Sequence, residues 1–229
     1  MAAGIKKKAW TAVTVEFLIM GLMLFGAAGT WAWAAGWVWM AIMFGLTLYA
    51  LSVLINKDPA LLEERMKGPI QKGQKGWDKF VLTIFLTLAT LWLPLMAIDA
   101  VRLHLSNIPI WWQIAGAILT AVSGTGMYVV LTVNTFAAPV VKIQTERAHH
   151  VIDTGPYAIV RHPMYAAALL YFPATALLLG SAYGLLLAVV LDLMLVLRTA
   201  LEDKTLHQEL PGYPEYASRV RFRLVPFIW

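Results

Sequence analysis

Six apolar runs constrain this chain more than any other feature, at about residues 11–29, 32–55, 80–98, 111–133, 164–179 and 185–201. A helix needs about 20 apolar residues to cross the roughly 30 Å hydrocarbon core of a bilayer. Only helices and closed barrels satisfy their backbone polar groups there, and runs this continuous are not strand-like. Composition agrees: 60% of the residues are hydrophobic and 14% charged, against about 25% charged in a soluble domain. The expected fold is an all-α, polytopic transmembrane bundle of five to six spans. The last two runs are short and predict a tight hairpin about Gly180–Gly184; a five-crossing arrangement with one half-inserted segment is the alternative. Residues 1–133 form the expected N-terminal set of helices, and residues 134–229 the C-terminal unit.

A six-crossing thread puts seventeen of the eighteen Lys and Arg residues on one side and leaves only Arg102 on the other. The positive-inside bias then places both termini in the cytoplasm. Ala32-Trp33-Ala34 faintly resembles a signal-peptidase site, but the first run is read as a spanning helix. The net charge of +5 reports topology in such a chain, so nucleic acid is not an expected partner. With zero Cys there is no disulfide, thiolate nucleophile or zinc-thiolate site.

The polar residues that remain gather in two places. Gly155-Pro156-Tyr157 leads into Arg161-His162-Pro163-Met164-Tyr165 at the mouth of the fifth run. Its prolines exclude a continuous helix, and Pro163 suits the first turn of the next one. The sixth run ends in Arg198-Thr199-Ala200-Leu201-Glu202-Asp203. Arg198 and Glu202 are i, i+4 neighbours on a helix, and Asp192, Thr199 and Asp203 share another face. A hairpin brings Arg161, His162, Tyr165 and the two acids to one cytoplasmic interface. From spacing alone the acids either line a site or begin a solvated tail.

Taken in order, Gly155-Pro156-Tyr157, Arg161-His162-Pro163-x-Tyr165, Arg198-x-x-x-Glu202-Asp203-x-x-Leu206, Tyr213, Tyr216 and 219–226 resemble the isoprenylcysteine carboxyl methyltransferase and phospholipid methyltransferase superfamily, from about Asn134 on. Two positions depart from that pattern: Asp203 stands where the family usually has a second Glu, and Ala167 where Gly is common. The resemblance implies S-adenosylmethionine as cofactor, in a cytoplasmic pocket formed by the last helices and the tail. It makes Gly155, Tyr157, His162, Tyr165, Glu202 and Asp203 cofactor-binding residues and Arg161, Arg198 and Glu202 catalytic, with no metal. The acceptor would be lipophilic or lipid-attached, a prenylcysteine carboxylate first and a lipid amine second. Those chemical groups suit the cofactor: carboxylates suit its ammonium or ribose diol, and Tyr rings its sulfonium.

An NADPH-dependent sterol-type reductase is the rival enzyme, since such proteins have a similar Arg-His-Pro-x-Tyr segment, but with Asn where this chain has Met164. A non-enzymatic membrane protein is the third reading. Gly124-Thr125-Gly126 resembles a cofactor Gly-x-Gly, yet small residues in a membrane helix more often allow close packing. His149 and His150 read as a solvated pair, and Asp99 and His104 as wet residues of the far side. Glu16 and Asp192 are intramembrane acids, either functional or bonded between helices. Lys72, Lys75 and Lys79 suit contact with anionic membrane lipid.

Overall fold

The computed structural model describes residues 2–229, with side chains described from Gly4 onward. Eight α-helices follow one another: α1 (Ala2–Ala28), α2 (Ala34–Lys57), α3 (Pro59–Arg65), α4 (Gly76–Ala97), α5 (Ile110–Val133), α6 (Pro163–Leu178), α7 (Ala182–Glu209) and α8 (Tyr213–Arg219). Five of them, α1, α2, α4, α5 and α7, are long and apolar enough to cross a membrane. No strand occurs among the described residues.

At one end, called far here, Arg102 reaches the Ala27 carbonyl. The turn before α7 meets the segment after α4 there, through Ser181 to Asp99 and Ala182 N–H to Ser106. So α6 also runs the length of the bundle, and the chain makes six antiparallel passes. At 16 residues, α6 extends only about 24 Å. The irregular backbone before it completes the pass, with Val160, Arg161 and His162 buried against the protein.

The core lies where Leu24 and Phe25 of α1, Trp39 of α2, Trp92 and Met96 of α4, Phe172 of α6 and Leu191 and Leu195 of α7 meet. The small residues decide how close the helices come. A Cβ at Gly116 would strike the α6 backbone at Ala174 and Leu178, and one at Gly124 would strike Leu46 of α2. A Cβ at Gly126 would lie 3.4 Å from Ala167. Gly124-Thr125-Gly126 therefore seats α5 between α2 and α6.

Two expectations need correction. The final run is not short: α7 has 28 residues. Hydropathy stops at Leu201, but Glu202, Lys204, Gln208 and Glu209 beyond it are good helix formers, and the helix ends only before Pro211. Glu202 and Asp203 are therefore helical, not the start of a tail. Asp99 is not wet either. It is 2% exposed and accepts from Ser106, Ser181 and the Tyr183 N–H.

Candidate active site

Between α5 and α6 the near end of the bundle is walled by irregular chain, 134–162. Gly155 adopts φ +59°, a left-handed conformation that Gly enters without strain. It starts a short 3-10 turn, Gly155–Ala158. That turn places the Tyr157 hydroxyl 2.6 Å from Asn134 Nδ2, which donates to it. Tyr216 Oη donates to the Tyr157 carbonyl. Burial pushes the Tyr157 phenol above its usual range, so it stays protonated. His162 caps α6 and Pro163 is its first residue. The tail folds back over this entrance: the N–H groups of Arg161 and His162 donate to the carbonyls of Phe222 and Arg223, both at 2.9 Å.

Adjacent acids of α7 serve two different networks. Asp203, 1% exposed, is the hub of a clamp. Arg161 grips it in a bidentate fork, Nε to Oδ1 at 2.8 Å and Nη2 to Oδ2 at 3.0 Å. Tyr213 and Arg223 donate to it at 2.9 and 2.8 Å, and His162 Nε2 lies 3.2 Å away. Arg161 Nη1 also donates to the carbonyls of Val220 and Arg221. Burial works against charge on Arg161, but its bonds to Asp203 hold the guanidinium above its usual range. The clamp joins the mouth of α6, the end of α7 and the tail.

Glu202 ends the second network. Asp78 on the first turn of α4 is fully buried and accepts from Gln74 Nε2, the Val141 N–H and Arg198 Nε, all within 2.8–2.9 Å. Arg198 donates onward to the Pro139 carbonyl and to Tyr165 Oη. Tyr165 donates to Glu202 Oε2 at 2.7 Å. Arg198 and Glu202 do share a face, but the Tyr165 hydroxyl stands between them and no direct ion pair forms. Glu202 has no other side-chain partner among the described residues.

These walls enclose a cavity of about 440 Å³. At its polar end stand Tyr157, His162, Tyr165, Arg161, Arg198 and Glu202. At its apolar end stand Leu82, Phe85, Leu86, Phe172 and Leu195, of which Leu86 is exposed on the outer face of α4. Gly155 and Asp203 do not line it. Four Lys and Arg side chains face the cavity: Arg65, Lys142, Arg161 and Arg198. Lys142 pairs with buried Glu64, Arg161 with Asp203 and Arg198 with Asp78. Arg65 has no carboxylate partner among the described residues and donates Nη1 to the Ala137 carbonyl.

His149 and His150 are not a merely solvated pair. Both line the cavity, and Phe136 packs against their rings at 4.5 and 4.9 Å. Burial pulls His149 down to about 4, with the neighbouring charges of His150 and Arg147 adding to it. Glu16 lies exposed on α1 in a groove against α4 that shares Leu86 with the cavity wall. Asp192 lies outside the cavity, with one buried oxygen unpartnered. Among the described residues no group of His, Asp and Glu side chains converges as a metal site.

Sequence reasoning missed Asp78, Asn134, Arg65 and Lys142. Asp78 offered a signal: an isolated acid at the apolar edge of a loop rich in lysine.

Compared with known proteins, residues 111–210 match the family model of phospholipid methyltransferases. The match runs from the start of α5 to the end of α7, earlier than Asn134, and stops before the tail. No curated protein matches the chain. Those residues, with the Arg161–Tyr165 and Arg198–Asp203 motifs inside them, are the part of the chain that is similar to the phospholipid methyltransferase family, itself part of the integral membrane methyltransferase superfamily.

Proposed function

We propose that the protein transfers a methyl group from S-adenosylmethionine to a lipophilic acceptor that reaches the cavity from the bilayer. One observation carries this reading: a single cavity joins a polar end, where Glu202 has an uncommitted oxygen, to an apolar end lined by Leu86, a residue also exposed on the surface of α4. The residues present fit the cofactor. Glu202 takes a cationic or hydroxyl part of it, Tyr165 and Tyr157 offer aromatic surface for a sulfonium, and His162 closes the wall. When bound, the cofactor supplies a methyl group on a sulfonium, open to in-line attack.

The chain's own contribution is positioning. Arg198, anchored by Asp78, fixes the Tyr165 hydroxyl, and that hydroxyl fixes Glu202. Arg161 and Asp203 have their polar atoms engaged with each other and with the tail. We assign them a positioning role, away from direct contact with the cofactor. Gly155 shapes the loop. Residues 134–229 act as the methyl-transfer unit, with α5 packed against it and the earlier helices supplying Asp78 and the apolar wall.

A prenylcysteine-type carboxylate is ionised at pH 7 and attacks without a base. A lipid amine is the second reading, favoured by the description of the matched family. It must first lose a proton, and neutral His149 on the wall and Glu202 are the groups placed to take it. The match to a methyltransferase family weighs against the reductase and non-enzymatic readings. The near end, with both termini, is assigned to the cytoplasm. Cysteines placed at positions 6 and 204 should then label from the same side; labelling from opposite sides would overturn the thread.

The test is titration of the purified protein with S-adenosylmethionine and with NADPH, then transfer of labelled methyl into a lipid extract. We expect binding of S-adenosylmethionine alone and label in the lipid fraction. NADPH binding without S-adenosylmethionine binding would restore the reductase.

A further inference from the structure

Pairing off the charges that face the cavity leaves two. Glu202 is the free carboxylate, and Arg65 is the free guanidinium. Glu64, beside Arg65 on α3, is no counter-ion for it, because it is held by Lys142 and Lys67. Burial pulls the Arg65 guanidinium below its usual range, which is the sign of a desolvated cation lacking an anion. Its helix packs Leu61 and Leu62 into an apolar cluster that Met164 and Ala137 join, and Met164 and Ala137 both line the cavity.

We propose that Arg65 is an anion-binding site for the membrane-borne acceptor, taking a carboxylate or phosphate head whose apolar tail lies along Leu82, Phe85 and Leu86. A planar guanidinium with free N–H groups matches either oxyanion. Arg65 lies outside residues 111–210, the segment that holds every residue assigned to the cofactor. An anion belonging to the acceptor is therefore the better fit than the cofactor's own carboxylate. The proposal rests on the methyltransferase reading for the word acceptor, but the binding it describes is measurable without turnover.

The experiment titrates the full chain in a nonionic detergent with oleate, lysophosphatidate and neutral monoolein, by calorimetry. We expect the parent to bind at least one anionic amphiphile about tenfold or more tighter than monoolein, the value of one charge-assisted bond. The preferred arm tells carboxylate from phosphate. Arg65→Gln should bind all three alike, and Arg65→Lys should keep part of the preference. Affinity for S-adenosylmethionine should stay within about threefold of the parent in both variants. A parent without preference overturns the proposal, and this outcome does not depend on any variant folding. So does an Arg65→Gln protein that keeps the preference, or one that loses cofactor affinity instead. Failure of the parent to bind S-adenosylmethionine would sink the methyltransferase reading while leaving the lipid preference readable.

Discussion

Two regions of the near end are built on neighbouring acids of α7 and finish differently. In the tail clamp, Asp203 accepts from Arg161, Tyr213 and Arg223 and lies against His162. Both of its oxygens are in use. In the cavity wall, the chain from Asp78 through Arg198 and Tyr165 ends at Glu202, which keeps lone pairs for something else. A closed network holds structure; an open one holds a ligand. At the far end Asp99 repeats the closed pattern with neutral donors, Ser106 and Ser181.

The comparison breaks first at Asp203. Asp203→Ala leaves Arg161 buried without its counter-ion and frees the tail. Removing one partner of a buried pair costs about 3–5 kcal/mol. We expect a large drop in melting temperature and rapid proteolysis of residues 210–229; a parent-like melt would mean the clamp is not structural.

The far end gives a smaller effect. Asp99→Ala leaves the buried Ser181 hydroxyl and the half-buried Ser106 hydroxyl without their acceptor, a loss of about 1–3 kcal/mol. Thermal unfolding should register this while S-adenosylmethionine affinity holds. A fall in affinity would mean that the ends of the bundle are coupled.

The smallest effect concerns pH. His149 titrates near 4 in the folded protein against an ordinary 6.5. The unfolded chain therefore binds the extra proton between those values, and stability falls as pH drops from about 6.5 to about 4. Geometry points the same way, because His149 Nδ1 accepts the Gln144 N–H only when unprotonated. His149→Gln should flatten that part of a melting-temperature profile. An unchanged slope would mean that His149 is not held neutral.

The bundle was legible in the sequence because apolar run length and lysine placement are local signals. The end of α7 was not, since hydropathy stops at Leu201 although the helix continues to Glu209. Nor was the partner of Arg198: Asp78, 120 residues earlier, receives its charge, and no local pattern announces a partner at that distance. The motif residues do meet as the hairpin implied, Tyr165 on Glu202 and Arg161 on Asp203. Spacing could not tell which acid faces the cavity, because the two are adjacent on α7. The tail decides it by supplying Tyr213 and Arg223 to Asp203. Arg65 was invisible for a related reason: its freedom from a counter-ion appears only after every other charge has been paired in space.

The most direct test sets Glu202→Gln beside Asp203→Asn, each titrated with S-adenosylmethionine and melted. We expect Glu202→Gln to melt like the parent, since the amide oxygen of Gln still accepts from the Tyr165 hydroxyl, and to lose cofactor affinity by orders of magnitude. Asp203→Asn should melt far lower and, where still folded, bind the cofactor within about tenfold of the parent. The reverse pattern, with Glu202→Gln binding like the parent and Asp203→Asn losing the cofactor while stable, would contradict the division of labour between the two acids.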